Sequence, residues 1–439
     1  MSTILAGHER FARMLAAATP HVSGIVAEIK GLSITVRGIP ARVGEIVEIH
    51  SGPVTTPAEV VSVAADAAAC LPLGPLAGIG AGDLVTATGK ALEIPVGPGL
   101  LGQVLDGLGH RLDARPLPSE LLSATVETQV PDALTRMRVN TPMPLGIRAI
   151  DTLVPVGRGQ RMGIFAGSGV GKSSLLSMMI RGSEADVTVL ALIGERGREV
   201  REFLEDDLGP EGLKRAVVVV ATSDQPPMVR LRAAFVATRI AEWFRDSGQH
   251  VLLMMDSITR LAMAQREIGL SVGEPPATRG YPPSVFAMMP ALLERAGGAA
   301  VGSITGLYTV LVEGDDHNEP IADTARSILD GHIVLDRKLA QAGHFPSIDV
   351  LESVSRVAGF ITTERQRELA QTARGLLDAR RDVKEMVEIG AYVPGTNPRA
   401  DVALQLWPQL EQFLRQDKQI VSAAPAAWTT LAELLDGVP

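Results

Sequence analysis

A single cysteine, Cys70, stands in the 439 residues, so no internal disulfide can form and no thiolate metal site can be assembled. That usage fits a reducing cytosol. Aromatic residues make up only 3% of the chain, and none occurs between Phe11 and Phe165. A nucleic-acid platform that stacks bases on rings therefore has no rings to use between those two positions. Basic charge does not dominate either: a net charge of −9 opposes bulk attraction to nucleic acid or to an anionic membrane. No stretch approaches the roughly 20 apolar residues of a spanning helix. His8, Glu9, Arg10 and Arg13 interrupt the N-terminus where a secretory signal would need an apolar run.

A buried core is well supplied, with 46% hydrophobic residues, and the length suits about three domains of ordinary size. The chain is organised around Ala166-Gly167-Ser168-Gly169-Val170-Gly171-Lys172-Ser173, an A-x-x-x-x-G-K-S P-loop followed by Ser174. Met162-Gly163-Ile164-Phe165 before it reads as a buried strand, and Ser174 to Ile180 after it can start a helix. Glycines let successive N–H groups wrap phosphate oxygens, and the helix N-terminus adds the positive end of its dipole. Lys172 then reaches the β- and γ-phosphates of ATP and the Ser173 hydroxyl is placed for Mg²⁺.

The flanking sequence divides into four parts. Residues 1–20 hold a short amphipathic segment, with Ile4, Phe11 and Leu15 on one face; a frayed terminus and a partner-binding helix fit it equally. Residues 21–92 carry short β-rich runs punctuated by Gly and Pro, the pattern of a small antiparallel barrel with a structural or assembly role. Residues 93–361 hold the P-loop region. Strand candidates at 162–166, 187–193, 216–221, 250–255 and 308–312 alternate there with helical patterns at 173–181, 198–208, 228–246 and 284–296. The alternation implies an α/β domain with a mostly parallel sheet and its ligand at the carboxyl ends of the strands. Residues 119–140 read as nothing definite. Residues 362–439 are helical, with a break at Gly395-Thr396-Asn397-Pro398 and an interruption expected at Pro408.

Two acids complete the chemistry. His250 to Asp256 is an apolar strand ending in a carboxylate, the form of a Walker B element, 84 residues beyond Lys172. Asp256 there can hold the Mg²⁺ shell, usually through water. Glu195 follows the apolar run 187–193, where it can polarise an attacking water, with Arg196 beside it to contact phosphate or fix the acid. A solvated charge cluster capping the next helix fits the same residues.

Gly194-Glu195-Arg196-Gly197-Arg198-Glu199 together with the P-loop resembles the hexameric rotary-type ATPases. Further stretches narrow the resemblance to the type III secretion ATPases, and among them to the flagellar export branch. They are Gly157 to Gly163, Asp256-Ser257-Ile258-Thr259-Arg260, Gly273 to Phe286, and Ile328 to Leu335. The resemblance spans roughly residues 20–420 and is most specific across 157–360. It implies a RecA-like P-loop ATPase core with a small N-terminal β-barrel and a helical C-terminal domain. It matches Glu195 to the catalytic glutamate, Arg196 to a γ-phosphate sensor and Arg260 to a second phosphate-side arginine. Arg356, in Ser353-Val354-Ser355-Arg356, matches an arginine finger that enters a neighbouring subunit's site. Phe345 matches an adenine-stacking position where the family often has Tyr.

The resemblance further implies a homohexamer, cytoplasmic and peripheral to the inner membrane at an export gate. Its partners would be a dimeric regulator at the N-terminal segment, a coiled-coil stalk in the ring channel, and export substrates with their chaperones at the C-terminal domain, with no nucleic acid. The injectisome ATPase is the first alternative. An ATP-synthase or vacuolar-type subunit and an RNA translocase are further ones, the last opposed by the aromatic-free barrel. A binding-only ring subunit is opposed by Glu195 itself.

Overall fold

The computed structural model describes residues 22–312 and 319–438, so the N-terminal segment 1–20 lies outside the described residues. Two compact units are present, one formed by the N-terminal strands and one by most of the rest of the chain.

In the first unit, β1 (Ser23–Lys30), β2 (Ser33–Arg37), β3 (Glu45–Ser51), β4 (Val54–Val63), β5 (Ala67–Pro72) and β6 (Leu84–Ala91) close a barrel in the order β1-β2-β5-β4-β3-β6. Alternation drives the closure. Val26, Ile34, Val36, Val47, Ile49, Val60 and Val85 point inward with Cys70 and fill the interior with aliphatic side chains alone. Burial pushes the Cys70 thiol up to about 12, with Glu45 adding in the same direction.

In the second unit, β7 (Glu93–Val96) and β9 (Leu122–Thr125) form a two-stranded ribbon. The short β8 (Val104–Asp106) is the edge of the main sheet. That sheet continues through β10 (Arg161–Ala166), β11 (Val187–Ile193), β12 (Ala216–Ala221), β13 (His250–Asp256), β15 (Ser303–Leu311), β16 (Gly331–Leu335) and β17 (Ile348–Ser355). The two-residue β14 (Gly297–Gly298) pairs with β15 beside them. The strand order is β17-β16-β10-β15-β13-β11-β12-β8. From β8 to β16 the pairing is parallel, and β17 returns antiparallel to β16. Val187–Ile193 and Ala216–Ala221 are buried at every position, as strands covered on both faces must be. The helix Pro227–Asp246 packs on β11, β12 and β13.

Several elements differ from the pattern read off the sequence. The strand expected at 308–312 begins at Ser303, because Ser303 and Thr305 are buried with their hydroxyls bonded rather than marking a turn. The helix expected over 198–208 is α-helical only to Glu202 and π-helical over Phe203–Leu208. Pro408 does not interrupt its helix, which runs unbroken over Pro398–Leu414. Leu410, Phe413 and Leu414, on the following turns, are buried in the main core, and this packing outweighs the hydrogen bond a proline removes. That helix, with Glu364–Glu388 and Ala424–Leu434, forms the helical C-terminal part and shares the main core through Leu376, Leu410 and Leu431. Thr363 and Gln366 form a capping box at the start of the longest of the three. Among the described residues no helix is long and apolar enough to cross a membrane.

Candidate functional site

Strand β10 ends at Ala166, and the helix Lys172–Gly182 begins six residues later. The intervening loop turns through Gly169 and Gly171, with φ of 75° and 89°. Gly171 is required twice over. Its φ is the left-handed one, and a Cβ there would stand 3.3 Å from the ring of Phe345. No side chain caps this helix, so its first N–H groups are offered to an external acceptor. Ser168, Gly169 and Ser173 are exposed at the loop and helix start, whereas Ala166, Gly167 and Val170 are buried. Ser174 is half-buried on the first turn.

The strand order then collects the acids. β10 and β13 flank β15, and β11 lies beyond β13, so the ends of β10, β13 and β11 open on one edge of the sheet. Lys172 Nζ donates to Asp256 Oδ1 at 2.5 Å and to Glu195 Oε1 at 3.3 Å. All three side chains are largely buried, at 14%, 6% and 16% exposure for Lys172, Asp256 and Glu195. Burial opposes the Lys172 ammonium. The Asp256 and Glu195 charges more than offset it and hold its pKa above the ordinary lysine value. Burial pushes the Glu195 carboxyl above the ordinary range, the Asp256 charge adds to this, and Lys172 restrains it.

Glu195 is fixed by its backbone. Gly194 N–H donates to Ala221 O at the end of β12, and Glu195 O accepts from Ser223 N–H just beyond it. Gly194 has φ 71°, and a Cβ there would lie 2.9 Å from Cβ of Arg260. Arg260 is thereby packed against the residue before Glu195, its N–H bonded to Ser257 Oγ.

One residue of this site was not singled out by sequence. Thr309 Oγ1 donates to Asp256 Oδ1 at 2.6 Å from the adjacent strand β15, and is fully buried. Its strand also carries Ser303, Thr305 and Tyr308, so a hydroxyl there was no signal by itself.

Phe345 is half-exposed with its ring against the P-loop at Gly171, and Ser347 Oγ, two residues on, donates to Val170 O at 2.6 Å. Phe345 lines an open cleft of about 580 Å³ with Arg148, Glu411, Arg415 and Gln416. Gln416 N–H, from the segment after the helix Pro398–Leu414, donates to Phe345 O at 2.9 Å. A flat ring at the mouth of a P-loop, beside a cleft of this size, suits a purine base.

Two of the expected site residues are not gathered there. Arg196 is 81% exposed and pairs with Glu199 at 3.1 Å, one turn into its helix. Arg356 lies at the other end of the sheet. Ala166 pairs with Leu335 at the end of β16, whereas Ser355 pairs with Gly331 at its start. The antiparallel return of β17 thus carries Arg356 roughly 13 Å of strand away from the level of its own P-loop.

The ATP synthase alpha/beta family, nucleotide-binding domain, matches residues 146–355, and the T3SS EscN ATPase C-terminal domain matches residues 362–433. The flagellum-specific ATP synthase of Bacillus subtilis strain 168 is 51% identical over 415 residues, which are 93% of this chain and 94% of that protein. The structure of the assembled ATPase EscN from the enteropathogenic E. coli type III secretion system superposes with a TM-score of 0.89 at 44% identity, covering 94% of this chain and all (100%) of that one. The same ATPase in complex with its central stalk EscO superposes with a TM-score of 0.88 at 43% identity over the same 94% and 100%.

Proposed function

We propose a function from one premise: the chain belongs to the flagellum-specific and type III secretion ATPase family, related to the ATP synthase alpha and beta subunits. It is a nucleotide-binding ATPase of an export apparatus. Our reading goes further. The protein hydrolyses Mg²⁺-bound ATP in a homohexameric ring at the cytoplasmic base of a flagellar export apparatus, beneath the export gate, where it unloads or drives cargo.

The observation that carries this reading is the clamp of Lys172 between Asp256 and Glu195 at the carboxyl edge of the sheet. One ammonium with two carboxylates leaves a negative excess around the side chain next to Ser173 in the chain, and the candidate metal ligands are all oxygens. That suits a hard divalent cation held by few protein ligands and completed by phosphate and water. Ser173 and Asp256 would hold Mg²⁺, which supplies charge neutralisation to the phosphates.

Ala166 to Ser174 bind the phosphates, Lys172 bridges to them, and Phe345 stacks the base. Glu195 orients and polarises the attacking water. Arg196 and Arg260 stand on either side of it for the departing phosphate, Arg196 from a solvated position it must leave. Arg356, remote from its own P-loop, serves a neighbour's, which makes the ring the catalytic unit. A coiled-coil stalk in the channel, a dimeric regulator at residues 1–20, and export substrates with chaperones at the helical C-terminal part complete the partners.

Measuring hydrolysis against Mg²⁺ and protein concentration tests this. Activity per chain should rise as rings assemble and vanish with chelation. A dilute monomer of full activity would overturn the shared site. The injectisome version of the same ATPase is the second reading: identity to EscN is 44% along 94% of the chain, against 51% to the flagellum-specific relative along 93%. It differs in cargo and not in chemistry.

A further inference from the structure

Gln160, the residue before β10, is fully buried, and its amide is committed on both sides. Oε1 accepts from Gly157 N–H at 2.9 Å. Nε2 lies 3.1 Å from the Asp330 carbonyl, 3.2 Å from Ser355 Oγ and 3.0 Å from the Met162 sulfur. The same Asp330 carbonyl accepts from Arg356 N–H at 3.0 Å. Asp330 is immobilised in turn. Its carboxylate accepts from Arg161 N, Nε and Nη2 at 3.0, 3.1 and 3.1 Å, its N–H donates to Arg161 O at 2.8 Å, and Arg161 pairs with Glu294 at 2.5 Å.

All these groups lie at the sheet edge away from the P-loop, and none takes part in the chemistry at Lys172, Asp256 and Glu195. A buried primary amide is unfavourable unless its donors and acceptor are bonded. Closing the Gly157–Gln160 turn uses only the acceptor. The donors are directed to the two residues that set the course of the chain into Arg356.

We propose that Gln160 is a positioning residue for Arg356: its amide locks Ser355 and the Asp330 carbonyl together and so fixes the backbone from which the guanidinium, itself bonded to Arg326 O at 3.1 Å, extends toward the neighbouring subunit's site. The inference rests on the reading of Arg356 as a finger supplied in trans. Gln160 touches no nucleotide and acts only through Asp330 and Ser355.

The test uses full-length rings carrying Gln160→Met, which keeps the side-chain length and removes the donors together with the acceptor for Gly157 N–H. These rings should bind a fluorescent ATP analogue within about twofold of wild type, with KM unchanged and kcat lower by at least about tenfold. Mixing them with Lys172→Ala chains should then restore hydrolysis severalfold. About a quarter of the sites at equal ratio pair an intact P-loop with an intact finger in a closed ring. Arg356→Ala mixed with Lys172→Ala is run in parallel. Recovery in both mixtures supports the inference. Recovery with Arg356→Ala alone shows that Gln160 acts on its own strand and overturns the inference. Recovery in neither overturns the trans finger and the inference with it. If Gln160→Met fails to bind nucleotide, Ser355→Ala decides: a kcat loss of about threefold that is recovered by mixing supports the proposal, and unchanged kcat contradicts it.

Discussion

The Lys172 ammonium lies 2.5 Å from the Asp256 carboxylate, a contact between residues 84 apart that exists only because β10 and β13 flank the same strand. Glu195 completes the group at 3.3 Å from the same nitrogen. On the function proposed here, phosphate draws Lys172 away and leaves Glu195 as the base.

Glu195→Gln should therefore bind ATP yet hydrolyse it at least about 10²-fold more slowly, the usual size of a lost general-base contribution. The pH profile adds a second readout. Burial first, and the Asp256 charge with it, raise the Glu195 carboxyl above the ordinary range. Water activation needs the ionised form, so hydrolysis should fall as pH drops through that raised value, and the acid limb should sit above the ordinary glutamate range. The Gln variant should lack the limb. Near-normal turnover in Glu195→Gln would remove this residue from the mechanism.

Thr309→Val keeps the shape of a buried β-strand residue and deletes the hydroxyl that holds Asp256. Losing one hydrogen bond to a buried charge, worth about 1–2 kcal/mol, should lower kcat about fivefold or more at saturating Mg²⁺. Thermal unfolding should also shift to lower temperature. If kcat is unchanged, the hydroxyl does not orient Asp256.

Phe345→Ala should weaken ATP binding about tenfold or more, since stacking on a base is worth about 1–3 kcal/mol, while Phe345→Tyr should stay close to wild type. Equal affinities in all three proteins would mean the ring is only packing against Gly171.

Cys70 should resist alkylation in the native protein. Its thiol, pushed up to about 12 from an ordinary 9.0 by burial in the barrel, leaves about 10³-fold less thiolate at neutral pH than a free cysteine. Mass spectrometry after iodoacetamide treatment should find Cys70 modified promptly in denaturant and barely at all without it. Rapid native labelling would show the barrel opening readily.

The P-loop and Asp256 stood out in the sequence as a glycine-rich A-x-x-x-x-G-K-S run and a carboxylate ending an apolar strand, whereas Glu195, two residues past its strand, was left open by the local pattern and singled out only by the family resemblance. The aliphatic barrel was legible for the same kind of reason, from alternation and the missing aromatics. Thr309 was not, because its contact depends on the register of β13 with β15, where Met255 pairs with Tyr308. Nor was the remoteness of Arg356, which follows from the antiparallel return of β17 and leaves no trace in local composition. Residues 119–140 lack a period because their polar groups are satisfied by distant partners. Arg136 bonds the carbonyls of Glu294 and Ala296, and Thr128 bonds Glu242.

Flagellar protein secretion in a strain lacking this gene, complemented with the wild-type chain or with Lys172→Ala, is the most direct test of the function proposed here. The account predicts that hook and filament proteins disappear from the medium and return only with the wild-type chain. Normal secretion and swimming without the gene would contradict the flagellar assignment, and full restoration by Lys172→Ala would contradict the need for nucleotide at this P-loop.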